Sequence, residues 1–158
     1  MVKEYLLQLG YSKEEIKTIL NSYPLCNLKK DTLLLKIKEV YYLLISLGYS
    51  HEDVIKMTKV LPSLFGLSIE NIKQKITFLK QIDLDFIAVD DTKKLMQSID
   101  LTYARYMFFK DRGIVINEEN YRRLFYNAKQ FEKQYGIDKT TLLERYNYQE
   151  YINIKKKY

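Results

Sequence analysis

Leu47-Gly48-Tyr49-Ser50 repeats Leu9-Gly10-Tyr11-Ser12 at a distance of 38 residues, and Pro24 and Pro62 stand at the same distance. With only five glycines and two prolines, the chain has few chances to produce two such landmarks at one offset. A period of this size marks stacked helical repeats, in which each unit buries an apolar face against the next. Such architectures bind partners along an extended face.

The scarcity of Gly and Pro also argues against a turn-rich β fold. A chain of 158 residues that is 47% hydrophobic has the size and the apolar content for one domain with its own core. The expected fold class is therefore all-α: a right- or left-handed solenoid of about four helix-turn-helix repeats. The most hydrophobic stretch, 33–47, is interrupted by Lys36, Lys38 and Glu39. It falls short of the roughly 20 apolar residues needed to cross a bilayer, so no membrane partner is expected. The N-terminus shows neither a signal-peptide nor a transit-peptide pattern, and the expected compartment is the cytoplasm. The single Cys26 excludes an intramolecular disulfide framework.

Capping chemistry locates the helix starts. Ser12 with Glu15, Ser50 with Asp53, and Thr141 with Glu144 have the spacing of capping boxes. Asp31 or Thr32, Ser68 and Asn117 are further expected N-caps. Apolar residues then recur with the helical period. Short helices carry Ile16, Ile19 and Leu20, and Val54, Met57, Val60 and Leu61. Longer helices carry Ile37, Tyr41, Leu44 and Leu47, then Ile72, Ile76, Leu79 and Ile82, and finally Thr102, Tyr106, Phe109 and Arg112. The last two sets lie 35 and then 30 residues further on. Each unit reads as a short capped helix, a Pro-bearing turn and a longer helix ending near Gly. The units fall at about 10–47, 48–82, 83–112 and 113–148, inside one helical-repeat domain over 1–151. Residues 2–9 read as the remnant of a preceding helix, a helix is expected over 118–134, and 152–158 read as a basic frayed tail. The third unit is degenerate: it lacks Pro, and Asp83 stands where Gly would be.

Residues 44–54 (LISLGYSHEDV), followed by Leu61-Pro62-Ser63-Leu64 and by 72–79 (IKQKITFL), resemble the repeat of the mitochondrial transcription termination factor (mTERF) family. The likeness is best over 43–82, weaker over 5–47 and only in outline over 83–148. It implies a left-handed solenoid of helix triplets with a positively charged concave face. It also implies binding of double-stranded DNA or structured RNA through the backbone, and action in organellar transcription or ribosome assembly. The chain is shorter than the family's members and only modestly basic.

The net charge of +6 suits a polyanionic partner. Residues 117–158 carry nine basic and six acidic side chains, a net +3. Basic positions recur on the longer helices: Lys38 with Lys73, Lys75 with Arg105, and Lys80 with Lys110, at the 35- or 30-residue offsets. Spaced this way they form a broken ladder able to track phosphates; the alternative is ordinary solvated helix faces. A second candidate is C-terminal. There Arg122, Arg123, Lys129, Lys133 and Arg145 interleave with Tyr121, Tyr126, Tyr146, Tyr148 and Tyr151, before Lys155-Lys156-Lys157. Such a mixture can hold phosphates while stacking bases; alternatively, the rings pack the last repeat.

Catalysis has little raw material. His51 is the only His, so metal centres and triads built on His are not expected. It is expected to be exposed, and Cys26 to serve packing. The carboxylates Asp83, Asp85, Asp90 and Asp91 are expected to start a helix rather than hold a metal. No Gly-rich phosphate loop is present. The sequence thus points to a non-catalytic nucleic-acid binder with no cofactor and no metal, acting on transcription or RNA. The alternative is a protein–protein adaptor that uses the same groove.

Overall fold

The computed structural model describes residues 1–157. Helix α1 (Val2–Leu9) ends at Gly10, whose φ of 107° is closed to most other residues. Helix α2 (Lys13–Asn21) starts at the Ser12 capping box: the Glu15 amide donates to Ser12 Oγ at 3.1 Å, and the Ser12 amide donates to Glu15 Oε1 at 2.7 Å. Helix α3 (Lys30–Ser46) follows. Ser50 and Asp53 then repeat the box at 3.1 and 3.3 Å to open α4 (His51–Val60). Ser68 caps α5 (Ile69–Gln81) by accepting from the Asn71 amide. After α6 (Phe86–Asp90), Ser98 caps α7 (Ile99–Asp111).

Between the short and the long helix of each unit stands a 3-10 segment: Leu25–Asn27, Pro62–Gly66 and Thr92–Met96. The repeat is therefore a helix triplet, in the order short α, 3-10, long α. The fourth unit omits its opening helix and has a 3-10 segment at Tyr121–Phe125, then α8 (Ala128–Tyr135), α9 (Lys139–Arg145) and α10 (Tyr148–Lys157). No strand occurs among the described residues.

Four local expectations are corrected. Asp31 and Thr32 lie inside the first turn of α3, which starts after Lys29 without a side-chain cap; there Asp31 favours the positive end of the helix dipole. The helix expected over 118–134 begins only at Ala128. Upstream of it, Asn117 and Asn120 take backbone amides for a turn: Asn117 Oδ1 accepts from Glu119 at 2.9 Å, and Asn120 Oδ1 accepts from the Asn117 amide at 2.7 Å. This side-chain competition with the helix ladder breaks the pattern. Thr141 does not cap; its amide donates to Asp138 Oδ1 at 2.8 Å, so Asp138 starts α9. Residues 152–157 continue α10 rather than fray, because Asn147 caps that helix and Ile152 packs on its neighbours. Tyr158 lies outside the described residues.

The chain divides into two compact units. The first holds residues 1–76 and 86–93. Its core follows the helical spacing: Ile16, Ile19, Ile37, Leu44, Val54, Met57, Ile72 and Ile76 are buried. Each such side chain contributes about 1.5–3 kcal/mol by leaving water. Val60, expected in the stripe, is exposed at the end of α4. Cys26 is also exposed rather than packed. His51 is half-buried and shares a hydrogen bond of 2.8 Å with the Tyr41 hydroxyl.

The second unit holds residues 77–85 and those described from 94 onward. Helix α7 is its centre, and Ile99, Thr102, Tyr103, Ala104, Arg105, Phe108 and Phe109 are all buried. Phe108 and Phe109 meet Phe131 of α8 edge-on, at 5.7 Å in each case. At the other end of α7, Tyr103 stacks on Tyr151 of α10 at 5.0 Å. Asp83 occupies the left-handed region with φ 59°, the conformation that the glycine of the other units adopts.

Candidate nucleic-acid interface

The ten expected basic contacts have different fates. In the first unit, Lys73 is exposed on α5. Lys38 is half-buried, with its ammonium 5.2 Å from the centre of the Tyr5 ring. Lys75 is 7% exposed, and burial lowers its pKa. In the second unit, Lys80, Lys110, Arg122, Lys129 and Arg145 are exposed, and Arg123 is half-buried beside the Tyr135 hydroxyl. Arg122 lies over the Tyr121 ring at 4.9 Å.

Arg105 is removed from any solvent face. It is 1% exposed, and its terminal nitrogen donates to the carbonyls of Leu124 at 2.8 Å and Tyr126 at 2.6 Å, with Gln97 Oε1 at 3.2 Å. Its guanidinium carbon stands 4.4 Å from the Phe131 ring centre. Desolvation lowers its pKa to about 10, which leaves it charged at neutral pH. The charge satisfies the carbonyls that end the 3-10 segment and so fixes the entry to α8. Lys75, its counterpart at the 30-residue offset, is likewise buried. The offset thus found equivalent positions, but on the core-facing side of α5 and α7.

The tyrosines also resolve. Tyr121 and Tyr148 are buried, and Tyr151 is stacked on Tyr103. The Tyr146 hydroxyl donates to Asp111 Oδ2 at 2.7 Å. These four rings pack the last repeat, so what is left of that candidate is the cations beside them and the half-buried Tyr126.

A further basic residue stands in the same unit. Arg112 closes α7 and lies over Phe108 at 4.2 Å. With Arg145 it acts electrostatically on Tyr146, whose pKa is raised by burial and by Asp111 and lowered by the two arginines. In the sequence it reads only as the fading end of an apolar stripe. Its signal was its place beside Lys110 in the last turn, where cations suit the helix dipole.

No cluster of three or more His, Cys, Asp or Glu side chains that could hold a metal occurs among the described residues. No helix among them is long and apolar enough to cross a membrane. The mTERF family model matches residues 2–85, more than half of the chain, and spans α1 to α5 with both complete Leu-Gly-Tyr-Ser junctions. No curated protein and no solved structure matches the chain. The family is one of helical repeats that generally bind nucleic acid. With the capped triplets and the matched span in agreement, the chain belongs to the mTERF family.

Proposed function

We propose that the protein binds DNA or structured RNA through the phosphate backbone, without catalysis, and regulates transcription or RNA. One observation carries this reading: Lys73, Lys110, Arg122, Lys129 and Arg145 are exposed, and none forms an ion pair with a carboxylate among the described residues. Solvated, unpaired cations can exchange water and counterions for phosphate at little cost. The only His is engaged with Tyr41, which fits a binder better than an enzyme. Because Tyr121, Tyr146, Tyr148 and Tyr151 are engaged within the fold, the contacts are chiefly to phosphate rather than to stacked bases. Fluorescence anisotropy with labelled duplex DNA, single-stranded DNA and hairpin RNA at low salt tests this. Binding to duplex or hairpin is expected; binding to none of the three overturns it.

A further inference from the structure

The first unit carries an open groove between α1 and α2, with a volume of about 480 Å³. Leu7, Ile16 and Leu20 form its floor, and Lys3, Lys13 and Lys17 stand on its rim. Leu7 is 46% exposed, a large apolar side chain left in water. None of the lining residues is acidic, and the three lysines form no ion pair among the described residues. On α2 the lining positions are 13, 16, 17, 20 and 21. That is the spacing with which one helix presents a face to another.

The internal repeat shows what such a face receives. The 38-residue offset maps Leu20 onto Thr58 and Asn21 onto Lys59. Thr58 is fully buried and takes the Tyr11 hydroxyl, and Lys59 pairs with Glu15 at 3.0 Å. So on α4 the preceding repeat meets Thr58 with a ring and Lys59 with a carboxylate, although His51, Ile55 and Lys59 also line an open groove. On α2 the groove is open at Leu20 and Asn21, and Lys13 and Lys17 replace His51 and Ile55 at its edge.

We infer that the α1–α2 groove docks an acidic amphipathic helix of a protein partner. Apolar side chains of that helix, at i, i+3, i+4 and i+7, would cover Leu7, Ile16 and Leu20, and flanking carboxylates would meet Lys3, Lys13 and Lys17. The apolar floor disfavours a nucleic-acid backbone, whose outer surface is charged throughout.

Amide shifts of the full-length ¹⁵N-labelled protein test this, with a synthetic helical peptide bearing Leu at those four positions and Glu on both flanks. Shifts are expected at Leu7, Lys13, Ile16, Lys17, Leu20 and Asn21. The K13E/K17E double variant should bind at least about tenfold more weakly, since like charges then face each other. A carboxylate at position 13 lies in the first turn and suits the α2 dipole, and Lys17 is exposed, so the fold is kept. A peptide with Lys in place of Glu should show the reverse preference and favour the double variant. The proposal is overturned if the peptide shifts none of these amides, or if charge reversal leaves the affinity unchanged. It is equally overturned if duplex DNA alone shifts them, or if they shift with protein concentration in the absence of peptide.

Discussion

The Tyr11 hydroxyl donates its proton to Thr58 Oγ1. Thr58 has a single proton, and it goes to the Val54 carbonyl at 2.8 Å, so Thr58 can only accept from Tyr11. Both side chains are buried, at 2% and 0% exposure. Burial raises the Tyr11 pKa from 10.0 to about 12. Above pH 10 the unfolded chain releases this proton while the folded chain keeps it, so stability falls as pH rises. The contribution is complete below about pH 10 and gone above about pH 12, a loss on the order of 2 kcal/mol. Tyr11→Phe should cost about 1 kcal/mol at pH 8 through the lost hydrogen bond. Urea unfolding should then show the gap between wild type and variant closing above pH 10 and reversing by about pH 12, because the variant has no proton to release at this site. A gap independent of pH would contradict this.

Gly66 lies against the ring of Pro24. A Cβ at Gly66 would stand 2.5 Å from Pro24 Cδ and 2.8 Å from Cγ. A pyrrolidine ring is not a flexible side-chain end, so the two 3-10 segments must separate to admit a methyl group. Gly66→Ala should therefore lower stability by about 1–3 kcal/mol, as overpacking does. An unchanged thermal midpoint would show that the contact is looser.

Arg105→Met tests whether this cation is structural. The change leaves the Tyr126 carbonyl without its donor and the buried aromatic cluster without its cation. We expect a loss of about 2–4 kcal/mol, with Arg105→Lys intermediate because lysine cannot reproduce the guanidinium fork. If Arg105 were a phosphate contact, the variant would lose nucleic-acid affinity with its stability intact.

Asp83 holds a left-handed conformation at φ 59°. Asp tolerates it better than most residues, and a β-branched residue does not. Asp83→Gly should leave stability within about 0.5 kcal/mol of wild type or raise it, whereas Asp83→Val should cost about 1–2 kcal/mol. Equal stabilities measured by urea unfolding would contradict this.

What the sequence made legible was punctuation. Ser12, Ser50, Ser68 and the Gly10 and Gly48 junctions depend on contacts within a few residues, and local chemistry decides them. The place of Asp83 as a stand-in for glycine followed from the offset alone. Legibility failed where competing local bonds were equally good, as at Asn117 and Asn120. It failed again where the helix is buried all round. On α7 a basic residue in an apolar setting reads as a solvent-facing rung, yet Arg105 faces inward because two carbonyls from the following segment await it. Those partners lie 19 and 21 residues away, beyond the reach of spacing arguments. The C-terminal tyrosines misled for the same reason. Their partners, Tyr103 and Asp111, lie on a different helix.

The most direct test of the central claim is the salt dependence of duplex binding. For wild type, log K should fall linearly with log salt concentration, with a slope of about −0.9 per phosphate contact. Lys110→Gln, Arg122→Gln and Lys129→Gln should each make that slope shallower by about 0.9, with little loss of stability. Affinity that does not change with salt, or slopes untouched by all three substitutions, would contradict binding through these cations.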